Sequence, residues 1–343
     1  MDAFDLKPLG RRGPAVTRVG LGGVPLGDPS GPIDEARASL TLETAYASGI
    51  NYFDTAPWYG LGRSEHRIGH ALRGKPRERF VLSTKVGRVL TRPRDVAGPG
   101  PYSGRWAGGL PFDLRFDYTR EGVLRSYEDS LQRLGMTRVD ALVVHDLDLK
   151  FQHDEAGIAA RLDELDRGGG FAALAELRER GEIGAIGAGI NHVGMIPRFL
   201  ERFDMDFFLV AMPYTLLDQP ALDAELPLCL ERGVAVVIGA VFSSGILARP
   251  SESGAQYGYK PVEPGVRDRV ARIEGVCRRH GVPIGAAALQ FPLAHPAVVS
   301  VIPGADSAEQ IRTNLQWMRI AIPPALWETL KGEGLLRSDA PTP

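Results

Sequence analysis

The sequence predicts an α/β fold, a (β/α)₈ barrel with an N-terminal β-hairpin and long loops at the C-terminal face of the barrel. Short apolar runs alternate with amphipathic segments, which is typical of a parallel sheet covered by helices. Eight such runs occur, and eight units close most naturally into a barrel. Barrels of this kind often reach 343 residues as one domain, so we predict a single domain over residues 1–343.

The N-terminal segment predicts a short hairpin followed by the first barrel strand. The stretch FDLKPLGRRGPAVTRVGLGG, residues 4–23, contains two extended runs joined at RRG. Its last part, RVGLGG at 18–23, is the predicted first strand of the barrel.

The remaining elements follow a repeated order of strand, loop and helix. Further strands are predicted at 50–56, 80–86, 140–146, 183–191, 207–213, 234–240 and 298–303. Helical periodicity predicts helices at 34–48, 64–73, 119–134, 169–180, 194–202, 221–232, 265–280 and 307–319. Two long loops, 88–118 and 243–264, follow the C-terminal ends of strands, where barrel enzymes build their active sites.

The alternative is a doubly wound dinucleotide-binding fold, which needs an intact G-x-G-x-x-G turn. In GAIGAGINH, His192 stands where the last glycine of that motif belongs. In GLGGVP, Pro25 takes the corresponding place. Neither turn fits the motif, so the barrel is the favoured prediction.

The composition excludes several classes of function. A net charge of −2, with acidic and basic residues interspersed, provides no basic surface for nucleic acid or an anionic membrane. No apolar run reaches the about 20 residues that span a bilayer, and the N-terminus lacks the apolar core of a signal peptide. Cys229 and Cys277 are predicted to be free core thiols. We expect a cytoplasmic protein without a metal centre that acts on a small molecule, with a homo-oligomer left open.

Four polar residues lie at or just after predicted strand ends: Asp54, Tyr59, Lys85 and His145. Successive barrel strands are neighbours, so the ends of strands two, three and four converge. Taken singly, each residue has a structural interpretation: a turn cap for Asp54, a packing aromatic for Tyr59, a solvated charge for Lys85 and a core histidine for His145. Their joint arrangement favours a catalytic site.

The charges of these residues predict proton transfer. A lysine ammonium within ~4 Å of a tyrosine stabilises the phenolate by roughly 4 kcal/mol at an effective dielectric of 20, which lowers the pKa of the phenol. Asp54 would keep Lys85 charged and oriented, and His145 would donate to a substrate oxygen. The set cannot accept a hydride, so a redox cofactor is implied.

The chain resembles the aldo-keto reductase family. The segments FDTAPWYGLGRSE, LSTKVG, RSYEDSLQRLGMTRVDALVVHD and VIPGADSAEQIRTN are similar to the family's signature segments, in the family's order. The resemblance implies that Asp54, Tyr59, Lys85 and His145 are a catalytic tetrad with Tyr59 as acid/base. The rest of the chain is similar to a branch of D-threo-aldose, L-fucose, L-galactose and pyridoxal dehydrogenases.

The resemblance also implies a nicotinamide cofactor across the barrel mouth, with its adenosine end after strand eight. The implied cofactor-binding residues are Gly22, Gly23, Asp54, Asn191, Phe242, Ser243, Gly245, Leu247, Gly304, Ser307, Gln310 and Asn314. Family members that use NADP usually place Lys or Arg early in the last of these segments. Here Asp306 would repel a 2′-phosphate and only Arg312 is basic, so we expect NAD to be preferred over NADP.

Aromatic residues are expected to form the substrate pocket. The substrate-binding predictions are Trp58, Tyr59, Trp106, His145 and Tyr214, with no arginine cluster for an anionic substrate. The favoured reaction is oxidation of an aldose or lactol to a lactone. The alternatives are a broad-specificity NADPH-dependent aldehyde or ketone reductase, a channel-associated binding protein with incidental redox activity, and a barrel enzyme without nicotinamide.

Overall fold

A computed structural model describes residues 2–29, 31–93, 105–250, 256–257 and 260–343. Its strands are β1 (Leu6–Pro8), β2 (Ala15–Thr17), β3 (Leu21–Gly22), β4 (Tyr52–Asp54), β5 (Val81–Val86), β6 (Arg88–Thr91), β7 (Asp113–Phe116), β8 (Ala141–His145), β9 (Ala185–Ile190), β10 (Phe207–Val210), β11 (Ala235–Ile238), β12 (Gln256–Tyr257), β13 (Lys260–Pro261) and β14 (Val298–Val301).

The helices surround these strands. They are α1 (Glu35–Ala47), α2 (Arg63–Leu72), α3 (Arg120–Leu134), α4 (Leu149–Gln152), α5 (Glu155–Asp166), α6 (Gly170–Glu179), α7 (Met195–Leu200), α8 (Glu225–Arg232), α9 (Pro264–Arg279), α10 (Ile284–Gln290), α11 (Ala308–Arg319) and α12 (Pro324–Gly332). No helix within the described ranges is long and apolar enough to cross a membrane.

Eight parallel strands form the central sheet in the order β3, β4, β5, β8, β9, β10, β11 and β14. Parallel bridges between Val19 and Val301 and between Gly22 and Gly304 join its first and last strands. The backbone N–H of Gly20 also donates to the Val301 carbonyl at 2.9 Å. The predicted (β/α)₈ barrel is confirmed, and the C-terminal ends of all eight strands meet at one mouth.

The N-terminal hairpin closes the opposite end of the barrel. β1 and β2 pair antiparallel, with Leu6 opposite Thr17, as predicted. Leu9 and Val16 from this hairpin are fully buried in the same apolar cluster as Val81 and Val143, which point into the barrel. Side chains of the described residues therefore fill the bottom of the barrel.

A second apolar layer lies between the strands and the helices. Leu82 and Leu142 belong to this outer cluster. Their chain neighbours Val81 and Val143 point into the barrel, because successive side chains of a strand alternate between its two faces. Cys229 and Cys277 are free thiols buried in the same layer.

The predicted helices match α1, α2, α3, α6, α7, α8, α9 and α11 within a few residues. Helices α4, α5, α10 and α12 were not predicted. All seven residues of α10 are buried, so its sequence IGAAALQ has no polar face to show a helical period.

The first long loop contains structure that the sequence analysis did not predict. β6 and β7 form an antiparallel hairpin, with Arg88 opposite Phe116. This hairpin rises directly from the end of β5 and extends the wall of the mouth. Residues 94–104 of the predicted loop lie outside the described residues, as do 251–255 and 258–259 of the second loop.

Candidate active site

Three of the four predicted catalytic residues lie on adjacent strands at the mouth. Asp54 ends β4, Lys85 is the penultimate residue of β5, and His145 ends β8. The pairing of β4 with β5 sets Asp54 beside Ser83, and that of β5 with β8 sets Lys85 beside Val143. The expectation that these strand ends converge is confirmed.

Lys85 and Asp54 form a buried ion pair. Their side chains are 1% and 2% exposed, and Lys85 Nζ lies 2.5 Å from Asp54 Oδ2. Lys85 Nζ also donates to the Thr55 carbonyl at 2.8 Å, and Asp54 Oδ1 accepts from Ser83 Oγ at 2.7 Å. These bonds compensate both buried charges and fix the direction of the lysine ammonium.

Tyr59 lies between this cation and the imidazole. Lys85 Nζ is 4.8 Å from the centroid of the Tyr59 ring. The His145 ring centroid lies 5.8 Å away, with the two rings nearly perpendicular at 85°. The structure therefore brings the phenol, the ammonium and the imidazole together at one point of the mouth.

His145 is held neutral. Burial lowers the pKa of its imidazole well below the usual 6.5, and the positive charges of Arg88, Lys85 and Lys150 lower it further. Ring atom Nε2 lies 3.2 Å from Asp146 Oδ2. Ring atom Nδ1 is buried and has no hydrogen-bond partner among the described residues. The Tyr118 hydroxyl donates to the backbone carbonyl of His145 at 2.6 Å and anchors the end of β8.

Sequence reasoning missed a second ion pair next to His145. The Arg88 side chain is fully buried, and its Nη2 donates to Asp146 Oδ2 at 2.6 Å. The Arg88 guanidinium lies 3.9 Å from the ring centroid of Trp58 and 4.4 Å from that of Phe151. Residues 88 and 146 are 58 positions apart, and no sequence pattern links them.

Aromatic rings wall the mouth beside Tyr59. Trp58 meets Trp106 edge-on at 5.5 Å between ring centroids and Phe151 at 5.1 Å. Trp106 also lies 6.1 Å from Tyr59. Trp58 and Trp106 are thus placed together as expected, whereas Phe151, on the unpredicted α4, was missed. We call Trp58, Trp106 and Phe151 the aromatic wall.

Tyr214 lies away from the aromatic wall, and its contact with a substrate stays a prediction. Tyr214 is fully buried against Phe291 and His295, at ring-centroid distances of 5.2 and 5.9 Å, and no ring contact among the described residues joins it to the aromatic wall. The structure also places two arginines beside the pocket that the sequence analysis did not identify. Arg88 and Arg105 both lie over Trp58, at 3.9 and 4.8 Å from its ring.

The predicted glycines lie where the first and last barrel strands approach each other. A Cβ on Gly22 would sit 2.7 Å from the Ile302 carbonyl oxygen, and one on Gly23 would sit 2.7 Å from that of Asp54. A Cβ on Gly304 would sit 2.7 Å from Pro25. Close backbone packing accounts for these glycines, and their contact with a cofactor stays a prediction.

Asn191 lies immediately after β9, at the mouth. Its Nδ2 donates to Asp146 Oδ1 at 3.0 Å and to Asp148 Oδ2 at 2.8 Å. Both amide hydrogens are therefore engaged, and only Oδ1 remains to accept from a ligand. In the predicted contact with a carboxamide, the Asn191 side chain would therefore act as an acceptor through Oδ1.

The loop after β11 has the backbone conformation of a tight turn. Ser243 and Gly245 have positive φ angles of 48° and 102°, and a Cβ on Gly245 would meet no atom within 4 Å. Leu247 is fully buried, and its contact with a cofactor stays a prediction. Phe242 packs edge-on against Trp317 of α11, with centroids 5.6 Å apart, and its predicted stacking on nicotinamide stays a prediction.

The N-terminus of α11 is organised by its own side chains. Ser307 caps the helix by accepting from the backbone N–H of Gln310 at 3.3 Å. Gln310 Oε1 in turn accepts from the backbone N–H of Asp306 at 2.9 Å. Asn314 of α11 is 5% exposed.

Asp306 is neutralised by a residue that the sequence analysis did not connect with it. Arg37 of α1 reaches the Asp306 carboxylate at 2.7 Å through Nη2 and the Asp306 carbonyl at 2.7 Å through Nε. This ion pair weakens the repulsion on which the expected NAD preference was based. Arg37 also brings a cation to this loop that local sequence reading missed.

The described residues contain no group of three or more histidine, cysteine, aspartate or glutamate side chains that could hold a metal ion. The residues at the mouth are of the types that proton transfer next to an aromatic pocket requires. An uncharged imidazole, a tyrosine and a fixed ammonium can bind and polarise an alcohol or carbonyl oxygen and move its proton.

Comparison with known proteins identifies the class to which this fold and site belong. Residues 18–332 match the Aldo/keto reductase family, and the chain belongs to this family. It is 44% identical to pyridoxal 4-dehydrogenase of Microbacterium luteolum over 342 residues, covering 98% of this chain and 99% of that protein. It is 39% identical to D-threo-aldose 1-dehydrogenase of a Pseudomonas species over 336 residues, covering 96% and 97%.

Solved structures agree with the fold. An aldo-keto reductase from Bacillus halodurans superposes with a TM-score of 0.74 at 25% identity, and the match covers 98% of each chain. The chain is therefore an oxidoreductase of the aldo-keto reductase family, and proteins of this family use nicotinamide cofactors.

Proposed function

We propose that this protein is an NAD(P)-dependent dehydrogenase that oxidises a lactol, an aldose or a related alcohol, with Tyr59 as general acid/base. The observation that carries the proposal is the placement of the Lys85 ammonium 4.8 Å from the Tyr59 ring. Similarity to pyridoxal 4-dehydrogenase and D-threo-aldose 1-dehydrogenase supports the oxidative direction and a carbonyl-forming reaction.

The proposed proton transfer follows from the charges at the mouth. Lys85, fixed by Asp54 and the Thr55 carbonyl, favours the phenolate form of Tyr59 over the phenol. The phenolate takes the hydroxyl proton of the substrate, while the C–H bond breaks with its electron pair and the C=O bond forms. A bound nicotinamide would supply the acceptor for that hydride. His145 holds the substrate oxygen during the step.

The residues present fit a nicotinamide cofactor. Asn191 has one free acceptor, Oδ1, beside the mouth, and the backbone at Gly245 faces open space. The nearly buried amide of Asn314 and the capped N-terminus of α11 offer donors for the far end of an extended dinucleotide. We propose that these elements hold the cofactor along the mouth, with Arg37 and Asp306 beside its adenosine end.

The aromatic wall sets the class of substrate that we propose. Faces of tryptophan bind the apolar face of a pyranose as well as a flat heteroaromatic ring. Trp58, Trp106 and Phe151 surround the position next to Tyr59, so both pyridoxal-like and aldose substrates fit this surface. Pyridoxal and aldoses can both close to cyclic hemiacetals, so we propose oxidation of a lactol to a lactone for either class.

The test compares two tyrosine variants. Tyr59→Phe removes the proton carrier and should abolish turnover, followed at 340 nm with aldoses, pyridoxal and simple alcohols as substrates. Cofactor affinity, measured by quenching of tryptophan fluorescence, should change little. Tyr46→Phe is the matched control, because Lys75 Nζ lies 5.4 Å from the Tyr46 ring in a similar pair outside the mouth. Retention of most activity by Tyr59→Phe would refute the assigned mechanism.

A second candidate is an NADPH-dependent aldehyde or ketone reductase. The observation that favours it is Arg37, whose guanidinium lies at the loop before α11 and could bind a 2′-phosphate if it left Asp306. Initial rates in both directions with both cofactors separate the candidates, since a reductase would show a clear advantage for NADPH and carbonyl substrates.

A further inference from the structure

A network of charged groups lies behind His145 and extends the four predicted catalytic residues. Asp146 Oδ2 is 3.2 Å from His145 Nε2 and 2.6 Å from Arg88 Nη2. Asp146 Oδ1 accepts from the Asn191 side chain, which also donates to Asp148. All of these groups are buried or half-buried, so the network belongs to the packed wall of the mouth and is not a solvent-exposed charge cluster.

The neighbours of the two ring nitrogens decide where the imidazole proton resides. A neutral imidazole carries one proton, on either Nδ1 or Nε2. An ionised carboxylate attracts an N–H and repels the lone pair of a bare nitrogen, so Asp146 favours a proton on Nε2. Nδ1 has no described acceptor, and a buried N–H without an acceptor is costly. Both nitrogens therefore favour the same tautomer.

We propose that Asp146 is a positioning residue that fixes the proton of His145 on Nε2. Arg88 also holds Asp146 Oδ2, so this N–H can turn from Asp146 to a substrate oxygen that arrives beside Tyr59. The inference rests on the proposed function, because a donor at this nitrogen acts only on an oxygen that arrives beside Tyr59. Asp146 itself acts through His145 and holds neither the substrate nor the cofactor.

The surroundings of Asp146 keep its carboxylate in place. Arg88 supplies a charge-assisted bond on one oxygen, and Asn191 donates to the other. Burial raises the pKa of the Asp146 carboxyl, and the Arg88 charge and the Asn191 hydrogen bond oppose that rise. The residue has a φ angle of 51°, a conformation that only glycine, asparagine and aspartate adopt readily.

The other charged groups near His145 do not favour protonation of one ring nitrogen over the other through a direct contact. Lys85 and Lys150 act on its imidazole through space and disfavour the imidazolium, as Arg88 does. Tyr59 meets the ring by its edge. Within the described residues, Asp146 is the acidic side chain that an ion-pair distance joins to this ring.

The direct test uses the wild-type protein and no substrate. Uniform labelling of histidine with ¹⁵N and long-range ¹H–¹⁵N correlation reports the protonation of each ring nitrogen, and loss of one signal in His145→Asn assigns it. The expected pattern is a protonated Nε2 and a bare Nδ1 at neutral pH. A protonated Nδ1 would overturn the proposal, whatever the enzyme turns over.

The variant test is Asp146→Asn, which keeps the side-chain size, tolerates the positive φ angle and removes the charge. We expect kcat to fall by about tenfold to a hundredfold with little change in KM, and the Nε2–H population of His145 to fall. An unchanged tautomer together with unchanged kcat would contradict the proposal.

The matched control is Asp206→Asn. Asp206 is also a buried aspartate paired with an arginine, at 2.6 Å from Arg178, but it precedes β10 at the opposite end of the barrel. A merely structural effect of losing a buried Asp–Arg pair would lower the stability of both variants and leave kcat and the His145 tautomer of Asp206→Asn unchanged. Absence of turnover in the wild type would refute the proposed function without affecting the tautomer measurement.

Discussion

Replacement of Lys85 by methionine tests the electrostatic basis of the proposed acid/base chemistry. The substitution keeps the length of the side chain and removes its ammonium, which lies 4.8 Å from the Tyr59 ring. Coulomb's law at an effective dielectric of 20 gives about 3 kcal/mol for a unit negative charge placed at the ring centre, before the opposing charge of Asp54 is counted. Since about 1.4 kcal/mol corresponds to a factor of ten, kcat/KM should fall by roughly two orders of magnitude.

The same substitution has a separate effect on stability. Asp54 would remain buried without its cation, and breaking a buried pair in this way costs about 3–5 kcal/mol. In the double variant Lys85→Met/Asp54→Asn, the neutral amide can still accept from Ser83, so much of the lost stability should return. Activity should not return, because the ammonium is absent from both variants.

Two measurements keep these effects apart. Urea unfolding gives the free energy of unfolding, and the rate of absorbance change at 340 nm gives kcat/KM under conditions in which each variant is folded. Lys75→Met, which removes the cation 5.4 Å from Tyr46, is the control for loss of a lysine near a tyrosine. If Lys85→Met kept more than a tenth of the activity, or if the double variant regained it, the assignment of Lys85 would be refuted.

Three further predictions concern the cofactor, the pocket and pH. Asp306→Asn should release Arg37 and raise kcat/KM for NADP⁺ relative to NAD⁺ severalfold. If steady-state assays gave an unchanged ratio of the two kcat/KM values, this loop would not bind the 2′-phosphate. Trp106→Ala should raise KM for aromatic substrates about tenfold, because it removes a ring face beside Trp58 on which they can stack. An equal effect on a small aliphatic alcohol would argue against stacking. Because His145 is neutral in the folded state, with a pKa below its ordinary 6.5, the unfolded chain binds an extra proton below that pH. The free energy of unfolding should therefore fall on acidification, and urea titrations should show a smaller fall for His145→Asn.

The parts of the site that could be predicted from the sequence follow from topology. Asp54, Lys85 and His145 each lie at or next to the end of an apolar run, and parallel strands in a barrel bring such positions to one mouth. Tyr59 follows in the same loop as Asp54. Strand order alone determines which strand ends are adjacent, so these residues could be placed together without any measured distance.

The parts that could not be predicted depend on side chains that meet from distant segments. Arg88 lies on a hairpin inside a long loop, and its ion pair with Asp146 depends on how that hairpin folds over the mouth. Phe151 belongs to a helix of only four residues, too short to show a period. Tyr214 lies in a loop after β10, where the alternation of strand faces no longer indicates which way a side chain points.

The charge of a binding loop is likewise a property of the folded chain. Read along the sequence, Asp306 is a carboxylate at the start of α11, and it predicts repulsion of a phosphate. In the structure its carboxylate and its carbonyl are both bound by Arg37, 269 positions away, so the pair is nearly neutral at this place. Arg37 is 47% exposed, and an exposed arginine can exchange partners at little cost. A 2′-phosphate would therefore compete with Asp306 for the guanidinium, and cofactor preference depends on the difference between these two interactions rather than on the acidic residue alone.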